Sequence, residues 1–159
     1  MADMLVSLYR LPAGAMPARG AAPQPTVRKP LGGEARLIVD WIAEQFGAAW
    51  ASEAQTALGN RPVSLFIALD GGNLLGFACY DATARGFFGP IGLAPAARRQ
   101  GLGARLLRAC LDDMRTVGYG YAVIGGAGPQ EFFKRSVGAV EIAGSAPGIY
   151  HDMLRAAKS

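Results

Sequence analysis

The segment Arg98-Arg99-Gln100-Gly101-Leu102-Gly103-Ala104 places two cations and two glycines just before an amphipathic run that reads as a helix. Glycine lets a chain turn sharply and approach a ligand with no Cβ in the way. The first turn of a helix has unpaired N–H groups and a partial positive charge, so its donors point at whatever anion sits there. Arg98 and Arg99 add full charges at the rim. The pattern is that of a compact anion cradle suited to phosphate. Two common phosphate motifs do not fit it. A Walker loop ends in Gly-Lys-Ser/Thr, whereas Gly103 is followed by Ala104-Arg105. A dinucleotide fingerprint needs a third glycine where Leu106 stands.

The elements around this segment follow from periodicity. A helix is expected over 33–46, with Leu37, Ile38, Trp41, Ile42 and Phe46 on one face, and a second, shorter one over 50–58. Two apolar runs, 63–69 and 74–80, flank Asp70-Gly71-Gly72-Asn73 and read as a β-hairpin. A third strand spans 87–93, where Pro90 argues for an edge, a bulge or a break in pairing. The helix after the glycines buries Leu106, Leu107, Cys110, Met114 and Val117. A buried strand is expected over 119–124, a short helix over 130–137, and a last strand pair near 140–143 and 149–154. Residues 12–25 are almost all Ala, Pro and Gly and read as a loose connector. Before them, 5–11 suits either a short strand or a disordered tail. The expected division is an N-terminal extension over 1–25 and one domain over 26–159.

Composition narrows the function. The chain of 159 residues is 51% hydrophobic and 18% charged, which fits one globular domain. No apolar run is long enough to suggest a spanning helix, and Asp3 sits where a secretory signal would be basic, so a cytoplasmic protein is expected, with no membrane partner. One His and two Cys are too few for the usual structural zinc sets, and no metal is expected. The net charge of +4 permits nucleic-acid binding, but there is no long Lys/Arg run and none is expected. Cys79 and Cys110 lie in apolar segments and read as buried thiols. A cysteine hydrolase would need Cys79 with His151, and nothing flanking Cys79 forms a nucleophile turn.

Arg-x-x-Gly-x-Gly between a strand and an amphipathic helix resembles the pyrophosphate loop of the GNAT superfamily, the acyl-coenzyme-A-dependent N-acetyltransferases. The order of elements is also similar: a meander, the glycine loop, a helix, a strand, then a short helix carrying Phe132-Phe133 closed by Gly138-Ala139. The resemblance covers about residues 26–155. It implies an α/β (α+β) fold: a mixed, mostly antiparallel twisted sheet with a splayed parallel pair at its centre, flanked by helices. It also implies acetyl-CoA as co-substrate and a small-molecule or peptide amine as acceptor, with a homodimer possible. By resemblance, the strand ending at Leu93 leaves backbone groups of Ile91 and Leu93 free for a pantetheine arm. The loop residues Arg98, Arg99, Gly101, Leu102, Gly103 and Ala104 hold the pyrophosphate, and the Leu93 N–H stabilises the oxyanion.

The proton handlers depart from the family pattern. Relatives often carry a Tyr in the short helix to protonate the departing thiolate, and Phe133 stands at that position. Others carry a Glu in the strand before the glycine loop, and 86–93 has no carboxylate. Replacement candidates are Tyr150, then His151, Asp81, Tyr80 and Glu131. Tyr150 is preferred because a phenol donates without being charged and follows the flexible 144–148 loop. Loss of both usual groups also leaves open a non-catalytic acyl-CoA-binding or regulatory domain of the same fold.

Overall fold

A computed structural model describes residues 1–12 and 25–158. The elements in chain order are β1 (Met4–Ser7), β2 (Thr26–Arg28), α1 (Ala35–Phe46), α2 (Ala48–Gly59), β3 (Leu65–Asp70), β4 (Asn73–Tyr80), β5 (Phe87–Leu93), α3 (Leu102–Thr116), β6 (Tyr121–Ile124), α4 (Gln130–Val137) and β7 (Val140–Glu141). They form one seven-stranded sheet in the order β2-β3-β4-β5-β6-β1-β7. Every pairing is antiparallel except β5 with β6. The mixed sheet with a central parallel pair is the architecture expected from sequence.

Helices cover the sheet on two sides. α3 buries Leu102, Leu106, Leu107, Cys110, Leu111 and Met114 along one stripe, and this face continues through Phe88, Ile124 and Phe133 into α4. On the opposite face, α1 contributes Ile38 and Ile42, and α2 lies close because its buried residues are the small Ala51, Ala54 and Ala57. Burying a Leu, Ile or Phe side chain stabilises a fold by about 1.5–3 kcal/mol, so both stripes hold their helices firmly. Leu37 and Val117, expected on buried faces, are exposed at the helix ends and flanks.

Two expectations about the chain ends change. Residues 4–10 are part of the fold rather than an extension before it. β1 pairs with β6 on one side and β7 on the other, Met4, Val6 and Leu8 are fully buried, and a 3-10 turn over Leu8–Arg10 follows. The connector expected over 12–25 lies almost wholly outside the described residues. At the other end, the strand expected over 149–154 is absent. Gly148–Tyr150 is a 3-10 turn, and Met153 and Leu154 are exposed. The physical reason is competition for one edge: β1 already pairs with the free side of β6, so the C-terminal segment meets the sheet only through the two residues of β7.

Candidate functional site

β5 is paired at both ends on one side and at only one end on the other. Against β4 its register runs from Tyr80↔Phe88 to Gly76↔Leu93. Against β6 it pairs only at Phe87↔Val123 and Phe88↔Ile124. Beyond Phe88 the strands part. Pro90 has no N–H to give, Gly89 before it has φ +117, and the β4–β5 register slips between Ala78 and Tyr80. The break foreseen at Pro90 therefore lies at the vertex where β5 leaves β6. The Ala94 N–H donates to the Leu75 carbonyl at 2.8 Å. In an antiparallel ladder successive residues face alternate sides, so Gly92 and Ala94 face β4, and the N–H and C=O of Ile91 and Leu93 face the opening.

The glycine segment meets this open edge at its far end. Arg99 and Gly101 take left-handed backbone angles, φ +63 and +77, and curl the chain into the N-terminus of α3. The first helical bond runs from Arg105 N–H to the Gly101 carbonyl at 3.2 Å. The amides of Leu102, Gly103 and Ala104 precede it and have no helical acceptor. The glycines serve different ends. A Cβ on Gly101 would meet nothing within 4 Å, so its φ is the constraint. Gly103 has ordinary helical angles, and a Cβ there would stand 3.6 Å from Leu93 and 3.7 Å from Phe132. The Arg98 Nε donates to the Leu93 carbonyl at 3.4 Å, linking cradle to strand.

Cradle and edge share one cleft of about 540 Å3. Ile91, Leu93, Arg98, Arg99, Gly101, Gly103 and Ala104 line it. Leu102 offers only its amide, because its side chain is in the core. Phe133 does not line the cleft. It is buried against Phe88, ring centroids 6.2 Å apart, and its neighbour Phe132 faces the opening instead. Phe46 and Trp50 form the opposite wall. In the sequence Phe46 reads only as a helix-face residue, and Gly92 is the signal of its closer role. A Cβ there would come within 2.6–2.9 Å of the Phe46 ring, so only glycine lets α1 lie this close to the strand.

At the vertex stands Tyr150. Its hydroxyl rests over Gly125, where an added Cβ would overlap it and come within 3.0 Å of Phe87. Burial, then the charges of Asp3 and Glu53, hold the phenol above its ordinary pKa, so it stays protonated at neutral pH. Asp3, itself buried, fastens the surroundings. Its Oδ1 accepts the Gly126 N–H at 2.8 Å, its N–H donates to Ser145 Oγ at 2.7 Å, and its carbonyl accepts the Ile142 N–H at 2.8 Å.

The other candidates are elsewhere. His151 is exposed and faces Asp152 at 3.1 Å. Asp81 accepts the Gly86 N–H at 2.7 Å and the Tyr119 hydroxyl at 2.9 Å, at the opposite end of β4 from the cradle. Tyr80 is buried and donates to Asp113 at 2.7 Å, and burial raises its phenol. Glu131 is on the surface beside Lys134. Cys79 and Cys110 are fully buried, and burial pushes both thiols well up, which suits packing and not nucleophilic attack. No helix among the described residues is long and apolar enough to cross a membrane.

Comparison with known proteins gives a consistent answer. The acetyltransferase (GNAT) family matches residues 35–138. No curated protein matches the chain. The fold is similar to a GCN5-related N-acetyltransferase from Sphaerobacter thermophilus, with 19% identity and a TM-score of 0.69 over 89% of this chain and 48% of that one. A GCN5-related N-acetyltransferase from Kribbella flavida is 20% identical, with a TM-score of 0.61 over 88% of this chain and 53% of that one. A GNAT family acetyltransferase from Brucella melitensis, solved in complex with acetyl-CoA, is 20% identical, with a TM-score of 0.51 over 70% and 80%. The chain spans about half the length of the first two.

Proposed function

The chain belongs to the acetyltransferase (GNAT) family, and from that premise we propose that it moves the acetyl group of acetyl-CoA to the nitrogen of an amine within one ternary complex. The family supports acyl transfer from CoA in general. The observation that carries the finer reading is the joining of an open strand edge to a helix N-terminus in one cleft. A long ligand with an anionic head and an amide-bearing arm suits that shape. The amides of Leu102–Ala104, with Arg98 and Arg99, receive the pyrophosphate, and the arm pairs with Ile91 and Leu93 as an added strand would.

The direction of the cleft decides which amide serves the reacting carbonyl. Leu93 touches the cradle, since its side chain lies against Gly103. Ile91 is two residues, about 7 Å, nearer the vertex. We therefore move the oxyanion role from Leu93 to the Ile91 N–H and leave Leu93 to hold the arm. An aligned donor at that oxygen is worth about 3–4 kcal/mol, and juxtaposing the reactants about 7–11 kcal/mol. Tyr150 stands where the thiolate departs. Even an unshifted phenol near pKa 10 gives its proton to a thiolate near 8.5 at a cost of about 2 kcal/mol. Tyr150 thus steadies the thiolate mainly by donating a hydrogen bond, and its share of the rate is the smaller one.

A second reading, a non-catalytic acyl-CoA-binding domain, is favoured by one observation: α4 offers Phe132 to the cleft and no hydroxyl. Calorimetry with acetyl-CoA, followed by CoA release with an amine panel, separates the two. Binding with turnover supports transfer. Binding without turnover on any amine rejects it for the second reading, and absence of binding rejects both.

A further inference from the structure

α2 carries one carboxylate on the flank that continues from the cleft. Trp50 and Glu53 lie one turn apart on the helix, on the flank beside the row of buried alanines. Trp50 lines the cleft. Glu53 Oε1 accepts the Thr83 hydroxyl from the turn between β4 and β5. The side of the sheet is fixed by two glycines. A Cβ on Gly92 would point at Phe46 of α1, and one on Gly125 would point at Tyr150 and Phe87. Gly125 follows Ile124, which is buried on the α3 side. Glu53, Tyr150 and the inner end of the open edge therefore share the α1–α2 face.

Glu53 is half-buried, and among the described residues it forms no ion pair with Lys or Arg. A carboxylate with no cation beside it is free to receive one. Asp3, the other carboxylate facing Tyr150, is committed to the Gly126 amide. The rest of that face is apolar: Phe46, Trp50 and Phe87. Glu53 thus sets one negative charge beside this aromatic surface, one helical turn from the Trp50 that lines the cleft.

Resting on the acetyl-transfer reading, we propose that Glu53 receives the ammonium of the acceptor and takes its first proton, and that the acceptor is a primary amine with a single positive charge and an apolar body. The proton from the ammonium passes through Glu53 to solvent. The free amine nitrogen bonds to the thioester carbon, the C–S bond breaks, and the electron pair leaves on sulfur. The second nitrogen proton replaces the one that the thiolate takes. A polyamine would bring further cations with no carboxylate to meet them.

The test measures CoA release from acetyl-CoA with phenethylamine and with spermidine, on the full chain and on Glu53→Gln and Glu53→Asp. Gln keeps an acceptor for Thr83 and removes the charge. The expected result is a preference for phenethylamine and a fall of about 30-fold in kcat/KM for it in Glu53→Gln. Glu53→Asp should recover part of that loss, and calorimetric acetyl-CoA affinity should stay within about twofold of wild type. Transfer by wild type with Glu53→Gln unimpaired would overturn the assignment and leave acetyl transfer standing. A preference for spermidine would overturn the acceptor class. Equal loss in both variants with weakened acetyl-CoA binding would reduce Glu53 to a packing role. Wild type that transfers to neither amine overturns this proposal, and the broader amine panel then decides acetyl transfer itself.

Discussion

At the cradle end of the cleft, the proposed binding groups are backbone amides of consecutive residues, 102–104, set by two left-handed angles and a helix start. At the vertex end, side chains meet from separate segments: Asp3 before β1, Phe87 on β5 and Tyr150 beyond β7, with Glu53 of α2 proposed to join them. The first end depends on local conformation and tolerates changes of side chain. The second depends on the sheet order, because only the insertion of β1 beside β6 brings Asp3 to the Gly126 amide and the C-terminal loop.

Removing residues 1–10 attacks the vertex through that order and should have the largest effect. It exposes the β6 edge and deletes Met4, Val6 and Leu8, whose burial contributes about 5–9 kcal/mol, comparable with the whole stability of a domain of this size. Thermal unfolding followed by circular dichroism should show no cooperative transition for the truncated chain. An unchanged melt would mean that β1 is dispensable.

Tyr150→Phe probes the vertex without disturbing the sheet. Turnover should fall about 10- to 30-fold, with acetyl-CoA affinity unchanged. The two phenylalanines of α4 sharpen this. Phe133→Tyr would bury a hydroxyl against Phe88 and destabilise by about 1–3 kcal/mol without raising the rate. Phe132→Tyr faces the cleft and is the variant in which a rate gain should be sought by steady-state assay.

At the cradle, the paired variants Gly101→Ala and Gly103→Ala separate conformation from close approach. Gly101→Ala should lose about 1–2 kcal/mol of stability, because alanine resists φ +77. Gly103→Ala should keep or gain up to about 1 kcal/mol, since alanine favours a helix, yet weaken CoA by putting a methyl group where the pyrophosphate approaches. Denaturant melts and CoA calorimetry on both variants should show opposite orders of damage.

The smallest effect lies outside both ends. Arg28 grips Glu34 with two bonds, 2.8 and 2.7 Å, and with the Leu31 amide holds its carboxyl at about 2. A carboxyl lowered on folding stabilises above its unfolded pKa, and that contribution is lost as pH falls through the folded value. Stability should therefore decline between about pH 4.5 and 2, and Glu34→Gln should flatten that part of the profile in urea titrations.

The same contrast explains what could be read from sequence. The cradle was legible because its residues are contiguous and their types state the backbone they need. β5 and α4 have the bounds expected, 87–93 and 130–137, since turn residues punctuate both. Residue type singles out Tyr150, but the strand expected around it does not form, because β1 takes the place that strand would have used. Adjacent positions on a helix point about 100° apart, so which of Phe132 and Phe133 faces the cleft depends on how α4 rolls onto the core at Phe88 and Val137. Glu53 gave no signal. Its partner Thr83 is thirty residues away, and its polar neighbours make it resemble any solvent-facing helix position.

Backbone groups of β5 and α3 are proposed to hold acetyl-CoA along the open edge. Amide hydrogen exchange, resolved by NMR with and without CoA, tests it most directly. New protection is expected at Ile91, Leu93, Leu102, Gly103 and Ala104, with Gly92 and Ala94 unchanged because they already face β4. CoA that binds while those five amides exchange as freely as before would contradict it.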